Sequence, residues 1–396
     1  MRPRGDTMLV SDLVRAMESI APLHLAEPWD NVGLLVGSAD RRVAGPILLT
    51  IDLTECVLAE AVRARASAIV AYHPPLWEPI KRITSATPRG RVLLGAIEAG
   101  IAIYSPHTAL DATAGGVTDW LCEGLSGGAA SGGGDEGKIA GDCRALMPHV
   151  ARDQTQEVKI VTFVPESAAD ELRSALATAG AGIIGGYQVC SFATPGTGTF
   201  FGSDGTTPTV GQAGRLERTP ELRLEMVCSK AALPLALETL RRFHPYEEPA
   251  VDVYELLGRP ERSKGPGRRL VLDQPATLST LAERLKAFLS IPVVNVARAG
   301  GAGESDLPVT TIGVVPGSGA SMAAAARADG CEVFVTGEMK HHELLDALNA
   351  GTSVILAGHT NTERGYLPRL ARRLSATLPD ARVVVSQLDR SPRVPV

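Results

Sequence analysis

The chain has 396 residues, 44% of them hydrophobic and 21% charged, and a formal charge of −5. That length suffices for two or three domains, and the composition is that of a globular protein rather than a disordered one. With no basic excess and no Lys/Arg run, the chain offers no electrostatic grip on a phosphate backbone, which sets nucleic acid aside as a partner.

Arg2 and Arg4 open the chain, but Asp12, Arg15 and Glu18 interrupt what would have to be the apolar centre of a signal peptide. Leu9, Leu13, Met17 and Ile20 fall instead at helical spacing, predicting an amphipathic helix. No stretch approaches the roughly 20 apolar residues that span a bilayer, so a cytoplasmic, membrane-free protein is expected. The six cysteines, Cys56, Cys122, Cys143, Cys190, Cys228 and Cys331, form no C-x-x-C pair. They read as buried reduced thiols rather than as zinc ligands or a disulfide framework.

WDNVGLLVG, Trp29 to Gly37, reads as a turn entering a strand, with Asp30 and Asn31 polar enough to reach a nearby site. From Pro46 the pattern is strand (Ile47 to Leu53), helix to about Ala66, strand (Ala68 to Tyr72), a Pro-rich loop, helix (Val92 to Ala99), strand (Ile101 to Tyr104) and the segment HTALD. The last third repeats the scheme: strand (Thr310 to Val315), helix (Ser321 to Ala328), strand (Glu332 to Thr336), helix (His342 to Asn349), strand (Ser353 to Ala357) and HTNTE. Short apolar strands alternating with helices imply parallel α/β sheets, here two copies of one βαβαβ plan. Between them, about Val158 to Leu257, the order is strand, helix (Ala168 to Ala179), strand (Gly185 to Phe192), a Gly/Thr/Pro-rich excursion, strand (Glu221 to Cys228), helix (Leu233 to Phe243) and strand. That βαββαβ order is the ferredoxin-like signature.

Three interruptions, Gly124 to Gly137, Gly258 to Arg269 and Ala299 to Asp306, read as loops or joints. The expected fold class is therefore α/β, with two pseudo-repeated parallel-sheet α/β lobes and an inserted ferredoxin-like α+β domain. The domain limits are placed at 1–140, 155–260 and 268–396.

Ligand sites in parallel sheets form beyond the carboxyl ends of the strands. His73, the pair His107/Asp111, Glu338 and the pair His359/Glu363 all directly follow predicted strands. If HTALD and HTNTE begin helices, each His shares a face with the acid four residues on. Imidazole plus carboxylate without thiolate suits zinc, iron, manganese or a similar divalent ion. One such pair alone reads as a surface His near a helix cap; two at matching topological positions, with His73 at a third strand end, favour a metal site. Tyr72 is either core packing or a hydroxyl that orients water. His341 and His342 are adjacent, so on a helix they point about 100° apart and do not share an ion. One of them lines a pocket, and Glu338 is the better ligand or proton-transfer group. His24, His149 and His244 read as structural. Gly313 to Ser321, GVVPGSGAS, reads first as a tight strand-to-helix turn and second as a phosphate cradle. No G-x-S-x-G elbow or activated Cys is present, which disfavours a covalent nucleophile.

WDNVGLLVG, YHPPLWEPIKRIT, YSPHTALDATAGGVTDWL, TGEMKHHELLDA and GHTNTERGYL together resemble the Nif-three-like family, dinuclear metal-centre proteins also known as GTP cyclohydrolase 1 type 2 homologs. The resemblance covers both α/β segments. HPYEEPAVDVYEL, His244 to Leu256, further resembles the PII/copper-tolerance-like insert of longer members. The resemblance implies two divalent ions per chain, one held by His73 and Asp111, the second by His359, with Glu363 bridging them. Where the family pattern has two successive histidines this chain has Tyr72-His73, and His107 is the residue that would fill the gap. It also implies a homohexamer and a metal-dependent hydrolase acting on a nucleotide-like small molecule, with Glu363 fixing the ions and Glu338 or His342 moving protons. Two other functions fit the same residues: a metal-binding regulatory or scaffold protein whose insert senses a ligand, and metal storage or trafficking.

Overall fold

The computed structural model describes residues 8–128, 137–300 and 306–393. They form two compact units, one running up to His149 and resuming at Glu261, the other being Val150–Pro260. Parts of two glycine-rich joints, 129–136 and 301–305, lie outside the described residues, as do Arg2 and Arg4.

The first unit opens with α1 (Val10–Ile20), β1 (Gly33–Val36), β2 (Ile47–Thr50), α2 (Glu55–Arg63), β3 (Ala68–Ala71), α3 (Pro88–Ala99), β4 (Ala102–Ser105), α4 (His107–Ala112), α5 (Val117–Ser126) and β5 (Gly141–Ala145). The second unit contains β6 (Val150–Ala151), β7 (Val158–Val164), α6 (Glu166–Thr178), β8 (Phe192–Phe201), β9 (Leu216–Cys228), α7 (Leu233–Phe243), β10 (Val251–Glu255) and β11 (Arg259–Pro260). The first unit resumes with β12 (Arg268–Ala276), α8 (Leu278–Leu289), β13 (Asn295–Ala297), β14 (Val309–Val314), α9 (Ala323–Ala328), β15 (Val333–Thr336), α10 (His341–Asn349), β16 (Ser353–Leu356), α11 (Asn361–Arg364), α12 (Leu367–Thr377) and β17 (Val383–Val385).

Two sheets build the first unit, in the orders β1-β4-β3-β2-β17 and β13-β16-β15-β14-β12-β5. Strands β2, β3 and β4 are parallel, as are β14, β15 and β16. In both sheets an antiparallel edge strand, β1 or β13, closes the same side. The repeat is therefore longer than the βαβαβ plan read from the sequence: each copy begins with a helix (α1 or α8) and an edge strand. At the far edges the copies exchange ends, because β17 from the C-terminal segment pairs with β2 while β5 from the N-terminal segment pairs with β12. Limits at 140 and 268 do not foresee this exchange, since three valines and the polar run GDCRA carry no usable periodicity.

Side chains alternate across each sheet. Ile47, Leu49, Val70 and Tyr104 of one sheet and Ile312, Val314, Val335 and Ile355 of the other join one central core with α1, α5, α8 and α12. The opposite faces bury Leu48, Ile69 and Ile103 under α2 and α3, and Phe334 and Val354 under α9 and α10. Both faces of both sheets are thus covered, which is why the parallel strands read as continuous apolar runs. Gly124, placed by the sequence at the start of a joint, lies inside α5. The Phe288 ring sits 2.4 Å from where a Cβ would be, so this glycine permits a close helix contact rather than a turn.

Arg268, read from the sequence as part of a joint, begins β12 and is 1% exposed. Its guanidinium pairs with Asp119 and donates to the carbonyls of Gly265 (2.7 Å), Gly267 (2.9 Å), Thr113 (3.0 Å) and Ser263 (3.1 Å). One buried cation thereby fixes the turn that follows α4.

The inserted unit has the order β10-β7-β9-β8, every pair antiparallel. With α6 and α7 this is the βαββαβ arrangement, its core built from Val158, Ile160, Leu172, Leu176, Leu224, Met226 and Leu240. Its second strand is not Gly185 to Phe192. It is β8, the FATPGTGTFF stretch expected to be an excursion. Because β8 is an exposed sheet edge, Pro195 and the glycines cost it little there. Among the described residues no helix is long and apolar enough to cross a membrane.

Candidate metal centre

The ends of the parallel strands of both sheets bring their polar residues together. Asp52, His73 and the pair His107/Asp111 follow β2, β3 and β4; Gly317, Glu338 and the pair His359/Glu363 follow β14, β15 and β16. Pro74 and Pro75 stop the chain straight after His73, so no helix starts there. Past β16, Gly358 (φ +89°) turns the chain and α11 carries Glu363 one turn beyond His359.

His73, His359 and Glu363 each offer a ligand atom within 4.8 Å of the others. Glu363 is 2% exposed and divides its oxygens between the imidazoles: Oε1 lies 3.4 Å from His359 Nε2, and Oε2 lies 3.5 Å from His73 Nε2. Gly317 (φ +62°) backs the carboxylate, since a Cβ there would stand 2.6 Å from Oε1. Its N–H donates to Thr362 Oγ1 (2.9 Å), which in turn donates to the His359 carbonyl (2.6 Å).

Each imidazole is held from behind by an acid. His73 Nδ1 donates to Asp52 Oδ1 at 2.8 Å, His359 Nδ1 to Glu338 Oε1 at 3.0 Å, and His107 Nδ1 to Asp30 at 2.8 Å. An ionised carboxylate only accepts, so each ring presents an Nε2 lone pair at its far edge. Acids on Nδ1 orient metal-binding imidazoles and raise their basicity. Without a cation the same arrangement traps a proton: burial lowers the His73 pKa, but the hydrogen bond to Asp52 and the neighbouring Glu363 carboxylate outweigh it and raise it to about 10. Burial works against Asp52 and Asp30 too, yet His73 and His107 hold both carboxyls below the ordinary value.

His73 Nε2 and Glu363 Oε2 are buried without a hydrogen-bond partner. Buried polar atoms are rarely left so, and these two face one another. Two imidazole nitrogens and a carboxylate are also the donor set that zinc, iron and manganese accept. The residues present therefore fit a divalent cation.

The profile of the Duf34/NIF3 (NGG1p interacting factor 3) family matches residues 8–392. The chain belongs to this family. It is 32% identical over 384 residues to a GTP cyclohydrolase 1 type 2 homolog of Halalkalibacterium halodurans, covering 96% of this chain and 97% of that protein. It is 34% identical over 389 residues to NIF3-like protein 1 of Bos taurus, covering 96% and 90%. A solved Bacillus cereus protein related to NIF3 superposes with a TM-score of 0.63 at 31% identity, covering 99% of this chain and all (100%) of that one. A Staphylococcus aureus protein at 24% identity shares the fold, with a TM-score of 0.71 and 99% coverage of both chains.

In this Duf34/NIF3 chain the two His-x-x-x-acid segments behave differently. His359 and Glu363 meet, whereas Asp111 accepts the Tyr72 hydroxyl (2.5 Å) and His107 turns to Asp30. Burial, the largest influence, pushes the Asp111 carboxyl and the Tyr72 phenol well up. His107 borders the trio, its ring centroid 5.4 Å from that of His73, and Asp111 is near enough to Glu363 and His73 to feel both charges. His107 takes a φ of +27°, held by Asp30 through its own ring and through the Thr108 N–H (3.1 Å). His342 is not brought to the centre; it is exposed at the start of α10, its ring 5.5 Å from that of His341. The GVVPGSGAS turn spends the N–H groups of Gly317 and Gly319 on Thr362 and Thr336, which leaves them unavailable to a phosphate. Sequence reading missed Asp52 altogether and gave Asp30 only a general polarity.

Proposed function

We propose that the chain binds two divalent cations and hydrolyses a nucleotide-like small molecule, in the manner the name GTP cyclohydrolase 1 type 2 homolog suggests for its relatives. The observation that carries this reading is Glu363, buried and aiming one oxygen at an imidazole from each half of the repeat. His73, His359 and Glu363 would hold the ions, with Asp111 and His107 completing the donor set on the Tyr72 side. Bound there, divalent cations would supply Lewis-acid activation of water and of the substrate's electrophilic carbon.

The chain's own groups do the rest. Asp52, Asp30 and Glu338 lock the imidazole tautomers, so each ring keeps its proton on Nδ1 and a lone pair on Nε2. Glu338 is half exposed, with Oε1 on His359 and Oε2 3.2 Å from Arg393, which suits it to carry a proton between the centre and solvent. His342, exposed and in ring contact with His341, has no part in this scheme. Family likeness further leads us to propose a homohexamer, which light scattering of the purified protein checks.

Hydrolysis is tested with metal-loaded protein and Glu363→Ala across a panel of nucleotides. A purine substrate should be consumed by the first and not the second; equal traces refute the enzyme. A second reading, a regulatory protein whose insert senses a ligand, is favoured by a cavity of about 690 Å³ in the inserted unit. Phe163, Glu221, Arg223 and Tyr246 line it, with the Tyr246 hydroxyl donating to Glu221 at 2.7 Å. Turnover that persists unchanged when this cavity is blocked by Gly196→Trp separates catalysis from sensing.

A further inference from the structure

Two tryptophans are left largely in solvent beside the histidines. Trp29, in the loop before β1, is 61% exposed, and Trp77, in the loop after β3, is 48% exposed, whereas Trp120 is buried at 6%. The two indoles stand 5.5 Å apart between centroids and are tilted by 52°. Both also meet His107, Trp29 at 6.2 Å and Trp77 at 5.5 Å. His107 is in turn 5.4 Å from His73, and His73 is 5.3 Å from His359. An unbroken run of rings thus leads from solvent to the candidate metal ligands.

The arrangement is fixed rather than incidental. Asn31 Nδ2 donates to the Leu76 carbonyl at 2.5 Å, tying the Trp29 loop to the Trp77 loop. Asp30, the residue between Trp29 and Asn31, grips His107 Nδ1 at 2.8 Å and the Thr108 hydroxyl at 2.5 Å. One three-residue stretch, Trp-Asp-Asn, therefore orients an indole, an imidazole and the neighbouring loop together. A water-exposed indole gains by covering its face, and a flat conjugated ring covers it best, by offset or edge-on packing. An aliphatic chain offers no such face, and a sugar offers only the C–H groups of one side of its ring.

We infer that Trp29 and Trp77 form the mouth of the site and select a substrate carrying a planar, conjugated heterocycle, which packs on the indoles while its reactive atom reaches the histidines. This rests on the proposed hydrolysis for the chemistry, but ring capture itself does not need turnover. The two indoles are specificity-determining groups, and His107 is where the ring-binding surface meets the ligand cluster.

The test uses the full chain with guanosine and adenosine as planar probes and ribose 5-phosphate as the ringless control, affinities being read by calorimetry. Both nucleosides should bind saturably and quench tryptophan fluorescence, while ribose 5-phosphate does neither. Trp77→Leu and Trp29→Leu should each raise the nucleoside Kd about tenfold, and Trp77→Phe should restore most of it, since phenyl still stacks. Nucleoside affinity unchanged in both leucine variants overturns the inference even if turnover of Glu363→Ala is abolished. Loss of ring binding in those variants sustains it even if the nucleotide panel shows no hydrolysis. A blue shift of the emission with rising protein concentration, probe absent, would show a second copy covering the indoles, and would also overturn it.

Discussion

The two copies of the repeat place different chemistry at equivalent strand ends. After the first parallel strand the N-terminal copy has Asp52 and the C-terminal copy Gly317; after the second, His73 stands opposite Glu338; after the third, His107/Asp111 stands opposite His359/Glu363. Each copy supplies an imidazole to the trio and the acid that holds it, yet only the C-terminal copy supplies the carboxylate that faces both rings. The N-terminal carboxylate is occupied by Tyr72. A duplicated scaffold has become asymmetric by exchanging which strand end carries the ring and which the acid.

The asymmetry can be broken most severely at the ligands. Glu363→Ala and His359→Ala should each abolish stoichiometric zinc or manganese binding, whereas Asp111→Ala should weaken it while leaving a bound ion; elemental analysis after dialysis checks both. Arg268→Met should come next. It strands Asp119 and several buried carbonyls behind α4, and should lower unfolding free energy by about 3–5 kcal/mol in denaturant titrations. The acids behind the rings form the third tier: Asp52→Asn and Glu338→Gln should each cost about 10–100-fold in metal affinity with little change in Tm. Equal effects in the two halves would show that only the ligand carboxylate, not its supports, is asymmetric.

A pH titration sharpens the same contrast. With no metal bound, the folded His73 pKa of about 10 lies above its ordinary 6.5. The stability it contributes is therefore full below about pH 6.5 and is lost as pH rises through 10. A cation needs the same Nε2, so loading should release a proton, and apparent affinity should climb with pH towards 10. Calorimetry in two buffers of different ionisation enthalpy measures that proton. The smallest effect belongs to Tyr72→Phe. Loss of its hydrogen bond to Asp111 should change stability by about 1 kcal/mol and metal affinity by less than tenfold.

Much of this arrangement was legible in the sequence, for a definite reason. His73, His107, Asp111, His359 and Glu363 follow apolar runs whose strand character is plain, and parallel topology sends such residues to one sheet edge. The supporting acids were not legible. Asp52 reaches His73 from a neighbouring strand end and Asp30 reaches His107 from a loop, contacts made across strands that no periodicity encodes. Glu338 was singled out, but its hydrogen bond to His359 depends on β15 and β16 being neighbours. Of the fold, β8 was hidden because Pro and Gly signal loops unless the strand lies at an exposed edge. The β5 and β17 exchange was hidden because short strands gain their identity from the partner they pair with. Arg268 sat in a run that reads as a charged joint, though it is among the most buried side chains of the unit.

Whether the trio drawn from both halves holds a divalent cation is decided by metal content. Untagged protein, His73→Ala and Glu363→Ala would be loaded with zinc or manganese, dialysed and assayed for ions per chain. Metal should be retained in the first and lost in both variants, with all three folded by circular dichroism. Folded variants that keep the full metal content of the unaltered chain would contradict it.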